Sequence, residues 1–80
     1  MTPSDKISLA QLPANALATI LSFTSGRLET IRLASLGFTP GASVSMAQNY
    51  GRGPLIVTVR GTRVALGRGE AAQILVQPAA

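Results

Sequence analysis

Eighty residues leave room for one domain with one small core, because independent domains rarely fall below ~50 residues. Apolar residues make up 46% of the chain and charged ones 12%, a balance that favours folding over disorder. With no His, Cys or Trp and three carboxylates (Asp5, Glu29, Glu70), the chain lacks a zinc site, a thiol nucleophile, a disulfide framework and any His-based acid–base relay.

Residues 1–15 read as a polar start and a short apolar phrase, Ile7, Leu9 and Leu12, which Pro13 ends. This stretch is expected along the outside of the domain. The following apolar stretch, Leu17 to Phe23, is interrupted by Thr19 and Ser22 and lacks a basic leader, so it is no targeting signal. No window approaches the ~18 to 20 apolar residues of a spanning helix. A small domain without disulfides suits a reducing cytosol, so a soluble cytoplasmic protein is expected.

Leu17, Thr19, Leu21 and Phe23 alternate with Ala18, Ile20 and Ser22, the period-two pattern of a first long strand. Thr24, Ser25 and Gly26 break it and offer helix-capping side chains. A helix is then predicted over residues 27–36, with Leu28, Ile31, Leu33, Ala34 and Leu36 on a broad apolar face. Gly37 stands where a left-handed cap is wanted, Phe38 can fold back on the last turn in a Schellman motif, and Pro40 forbids continuation.

After Pro40-Gly41 the period returns to two. Val44 and Met46 mark one strand, and Leu55, Val57 and Val59 another, joined by the glycine-rich loop Gln48 to Pro54 with its single aromatic, Tyr50. Gly61-Thr62, between Arg60 and Arg63, has the composition of a two-residue type II′ hairpin, and Val64 and Leu66 face inward on the next strand. Residues 67–72 form a turn or one helical turn, and Ile74 to Val76 the last strand. About five short strands and one helix make a mainly β protein. Curling into a small SH3-like barrel would hide their apolar sides and remove the edges. An OB-fold is the alternative, but its helix would lie between the third and fourth strands.

The phrase Arg32 to Gly41 (RLASLGFTPG), with Gly53-Pro54-Leu55, Val59-Arg60-Gly61, Ala65-Leu66 and Glu70 to Val76, resembles the FeoA family over about residues 7–76. Two features depart from the family pattern: Gly51-Arg52-Gly53-Pro54 replaces an acid with glycine beside arginine, and an arginine expected directly after Leu66 falls at Arg68. The resemblance implies an SH3-like barrel that serves as a cytosolic, non-enzymatic accessory of ferrous iron uptake. Its implied partner is the cytosolic part of the transporter FeoB, of which the GTP-binding domain is one candidate. A less specific similarity links the chain to the SH3-like domain of iron-dependent repressors, and a chain opening on Met1 favours FeoA.

Most motif residues have a structural explanation: Leu33, Leu36, Gly37, Pro40 and Gly41 by helix burial, cap and turn, and Gly53 and Pro54 by the turn into a strand. Gly61 belongs to the hairpin and Leu66 to the strand after it. Gly51-x-Gly53 lacks the Lys-Ser/Thr of a P-loop and opens no helix. For metal, Met46 is the one soft ligand in a structured region and the carboxylates are far apart in sequence, so no catalytic residue, cofactor or tight Fe(II) site is expected.

The net charge of +4 comes from Lys6 and six dispersed arginines, which favours an acidic partner. An apolar groove between the helix and a neighbouring loop would take a segment of FeoB. Tyr50, Arg52 and Arg32 are the candidate contacts, as aromatic and arginine side chains dominate binding hot spots. A small basic barrel could instead bind nucleic acid, but one Tyr and two Phe are few for a stacking platform, so no nucleic-acid partner is expected. Exposed rims and the apolar N-terminal phrase could support weak self-association.

Overall fold

The computed structural model describes residues 6–79, so Met1 and Asp5 lie outside the described residues. In chain order the elements are β1 (Ile7–Ser8), a 3-10 turn (Leu9–Gln11), β2 (Leu17–Phe23), α1 (Arg27–Ser35), β3 (Ser43–Gln48), β4 (Leu55–Val59), β5 (Thr62–Leu66), α2 (Arg68–Ala71) and β6 (Ile74–Pro78). The strands make one antiparallel sheet of six in the order β1-β6-β2-β3-β4-β5. This is the mainly β design expected, with its main helix after the first long strand. The sixth strand is β1, which the short apolar phrase concealed.

The hydrogen-bond ladder does not close: β1 and β5 are its two ends, so the expectation that closure removes the edges fails. The core is nonetheless wrapped from all sides. Ala18 and Ile20 of β2, Val44 and Met46 of β3, Leu55, Val57 and Val59 of β4, Leu66 of β5, and Ile74 and Val76 of β6 join Leu9, Leu12, Leu33, Phe38 and Ala71 in one buried cluster. No polar or charged residue is buried among the described residues.

Two bulges bend this sheet. In β2 the register shifts between Ile20 and Ser22, so Ala18 and Ile20 face the core and, one residue out of phase, Phe23 packs against it. In β3 the shift falls between Met46 and Gln48. An extra residue leaves the ladder and reverses which parity points inward. Simple alternation therefore fails beyond each bulge.

The N-terminal segment is not peripheral. Leu9 and Leu12 are fully buried, because β1 pairs with β6 and the 3-10 turn places both leucines over the core. The turn is fastened by the Ser8 N–H, which donates to Gln11 Oε1 at 3.0 Å. The β4–β5 turn also differs from the expected type II′. Val59 pairs with Thr62, so the loop is Arg60-Gly61, and both residues have positive φ (51° and 78°), as a type I′ turn requires.

Truncating Leu9 to Ala should cost about 2–5 kcal/mol, the usual range for a buried leucine. Urea unfolding checks it; a cost below ~1 kcal/mol would place Leu9 outside the core.

Candidate functional site

Helix α1 ends in the Schellman motif its sequence predicts. The Phe38 N–H donates to the Leu33 carbonyl at 3.1 Å and the Gly37 N–H to the Ala34 carbonyl at 3.0 Å. Gly37 has φ 106°, and a Cβ there would stand 3.2 Å from Arg60 Cδ and 3.5 Å from Val59 Cγ2. The cap thus seats the helix end against the β4–β5 hairpin. Phe38 and Leu33, linked by the motif's backbone bond, are both fully buried.

The rest of the helix is not buried as expected. Leu33 is its one buried residue, while Leu28 is 83% exposed and Ile31 55% exposed. One leucine plus the cap suffices to hold a helix of nine residues, and its remaining apolar side chains face solvent. Its N-cap is Gly26, with no side-chain cap; Ser25 Oγ instead lies 2.8 Å from Thr30 Oγ1.

Between the C-terminal end of α1 and the hairpin runs a solvent-open groove of about 570 Å³. Ala34, Leu36 and Gly37 form one wall, Val59, Thr62 and Val64 the other, and Arg60 crosses its end, donating from Nη2 to Thr39 Oγ1 at 3.3 Å. The walls carry no carboxylate. Of the motif residues, Leu36 and Gly37 line this groove, while Pro40 and Gly41 turn the chain into β3 and Gly53 and Pro54 stand exposed before β4. Gly61 is in the hairpin loop and Leu66 is buried.

Tyr50, Arg52 and Arg32 do not line the groove. Tyr50 (77% exposed) and Arg52 sit in the β3–β4 loop, at the other end of β4 from the hairpin. Arg32 projects from α1 into an ion-pair cluster: its Nη2 meets Glu29 Oε2 at 2.7 Å and also contacts Glu70 Oε2. The fold thus gathers Glu29 and Glu70, distant in sequence, onto one guanidinium. Glu70 Oε1 meanwhile accepts from the Gly67 N–H at 3.0 Å, so the same carboxylate starts α2 and ties it to α1.

On the other side of α2, Arg68 donates from Nη1 to the Ala10 carbonyl (3.2 Å) and from Nη2 to Asn49 Oδ1 (2.7 Å). Asn49 Nδ2 donates to the Ala10 and Leu12 carbonyls at 3.1 and 2.9 Å, and its Oδ1 accepts from the Gly51 N–H. These bonds anchor the loop that displays Tyr50 and Arg52. Neither Asn49 nor the Arg60–Val64 stretch stood out in the sequence as a site. The local signals were Gly61-Thr62, read as the hairpin turn one place later than the Arg60-Gly61 loop found, and the Val59-Arg60-Gly61 motif of the family resemblance. No group of three or more carboxylate, His or Cys side chains that could hold a metal occurs among the described residues.

A model of the FeoA domain matches residues 7–78, and the chain belongs to that family. A curated protein of Methanocaldococcus jannaschii, provisionally named Fe(2+) transport protein A, is 38% identical over 48 residues, which are 60% of this chain and 57% of that protein. The match therefore spans little more than half the length of this relative. Among solved structures, a FeoA described as an iron uptake regulatory protein superposes with TM-score 0.88 at 27% identity, covering 94% of this chain and all of the other. The FeoA of Stenotrophomonas maltophilia, solved with zinc and described as a prokaryotic SH3 domain protein and candidate activating factor of ferrous iron transport, gives TM-score 0.78 at 33% identity over 88% of each chain. The fold is SH3-like. A manganese-dependent transcriptional repressor shares it at TM-score 0.85 and 16% identity over 99% of this chain and 45% of its own, a likeness of fold alone.

Replacing Gly37 with Ala forces a side chain into a left-handed backbone and should cost about 1–2 kcal/mol. Asn49→Ala takes the side-chain donor from the Leu12 carbonyl and the Oδ1 acceptor from Arg68, and should cost about 1–3 kcal/mol. Chemical denaturation measures both; neutral behaviour of either would remove that residue from the framework of the site.

Proposed function

We propose that this chain is a non-enzymatic accessory of ferrous iron uptake that acts in the cytosol by docking on the cytosolic part of a FeoB-type transporter. The observation that carries the reading is the open apolar groove between α1 and the β4–β5 hairpin, rimmed by Arg60 and free of carboxylates. Family membership supports the link to iron transport, and the relatives described as a transport protein and a candidate activating factor point the same way. The residue inventory supports binding over chemistry: with no His or Cys and both described carboxylates engaged with Arg32, the chain has little to offer as an acid, base or nucleophile. No described helix is long and apolar enough to cross a membrane.

The groove supplies the apolar contact area, and exposed Tyr50 and Arg52 form a second contact at the far end of β4. Arg32 contributes by holding α1 to α2, since two carboxylates already compete for its guanidinium.

Leu36→Glu should lower co-purification with the cytosolic region of FeoB at least tenfold, and the paired Tyr50→Ala and Arg52→Ala change should weaken it further, with Tm within a few degrees of the parent. Undiminished capture by all of these variants would refute docking through these surfaces. GTP-dependent turnover by the isolated chain would refute the non-enzymatic assignment.

A further inference from the structure

Strand β5 is paired on one side only, with β4. Its hydrogen-bonding parity follows from the hairpin. A two-residue type I′ loop makes the flanking residues Val59 and Thr62 a hydrogen-bonded pair, so Val57↔Val64 and Leu55↔Leu66 are hydrogen-bonded too. The intervening pairs, Thr58↔Arg63 and Ile56↔Ala65, are not, and the N–H and C=O groups of Arg63 and Ala65 point to the free edge. Among the described residues neither makes a backbone bond outside the hairpin.

Side chains on β5 alternate in the same way. Thr62 and Val64 line the groove, whereas Arg63 and Ala65 are exposed on the other face. A strand laid along this edge would continue the sheet at the usual ~4.8 Å spacing. Its alternate side chains would fall into the groove beside Val64 and Leu36, and the others would lie next to Arg63.

Charge decides what that strand is. Both described carboxylates are committed to Arg32, Glu70 also accepting from the Gly67 N–H just past the end of β5, while Arg60 and Arg63 make no ion pair among the described residues. A second copy of this chain paired edge to edge would bring further arginines onto one short ribbon, an arrangement like charges oppose. A segment carrying carboxylates meets no such barrier. The arginine on the edge thus both discourages self-pairing and selects an acidic partner.

We propose that the free edge of β5 accepts, by strand addition, an extended acidic segment of a partner protein, with alternate apolar side chains in the groove and carboxylates beside Arg63 and Arg60. This deepens the docking function and rests on that reading for the partner's identity, but strand addition itself is testable without the transporter.

The probe is a capped hexapeptide of alternating valine and glutamate, titrated into the full-length 15N-labelled chain, with the same peptide carrying lysine for glutamate as control. The glutamate peptide should shift and protect the amides of Arg63 and Ala65, and the lysine peptide should bind at least tenfold more weakly. Arg63→Glu should reverse that preference. Ala65→Pro, which removes an edge N–H without touching the β4 ladder, should weaken the glutamate peptide at least tenfold. If Ala65→Pro does not fold, the Arg63→Glu reversal decides. Equal binding of both peptides, no binding of the glutamate peptide, responses confined to other elements, or dimerisation of the chain through β5 would each overturn the proposal. Loss of peptide binding in Arg63→Glu with unchanged FeoB capture would leave strand addition standing and remove FeoB as its source.

Discussion

The Schellman cap at Gly37 and Phe38 is the joint on which the exposed face depends. Helix α1 buries one side chain of its own, Leu33, so it cannot hold its position by packing along its length. Two backbone hydrogen bonds turn the chain sharply after Leu36, and Phe38 joins Leu33 in the buried core. Glycine at 37 permits the left-handed turn (φ 106°) that sets the helix end beside the Arg60 and Val59 side chains. A groove exists because the helix is held at that end and is otherwise free of the sheet. Ion pairing then secures α1 laterally through Arg32 to Glu70, at an exposed position where such a bond contributes modestly.

Charge is distributed with a consequence for recognition. The described carboxylates gather around one arginine at the α1–α2 junction, leaving the hairpin and the free edge of β5 cationic. In a chain with so few charged residues, that distribution leaves Arg60 and Arg63 without a carboxylate partner among the described residues, which is what the proposed docking on an acidic partner would use. In the proposed docking the apolar walls would supply contact area and the arginines around them selectivity.

Much of the fold was legible because its signals are local. Gly37, Phe38 and Pro40 specify the end of the helix by backbone chemistry alone, and the alternation in Leu55, Val57 and Val59 specifies a buried strand. The signals that failed are those that depend on distant partners. Ile7 and Ser8 form a strand only because β6 is there to receive them, and two residues carry no period. Leu28 and Ile31 stand five and two positions before Leu33, offsets that turn them well away from it around the helix, so Leu33 meets the sheet and they do not. Of the site, Leu36 and Gly37 were visible as motif residues. Val64 was visible as part of a strand and Arg60 as part of a hairpin and a family motif, since their joint place on the groove arises when the helix end arrives opposite them. Asn49 bonds carbonyls nearly forty positions earlier in the chain and a guanidinium nearly twenty positions later, partners its sequence neighbourhood does not reveal.

Amide hydrogen exchange of the full chain, alone and with the cytosolic region of FeoB, reads the docking face without any substitution. Protection concentrated in residues 34–39 and 59–66, with the N-terminal strand and β6 unaltered, is the expected pattern. Protection lying wholly outside those two segments, or none under conditions where the two proteins co-purify, would contradict the assignment of the groove as the place where this protein meets its partner.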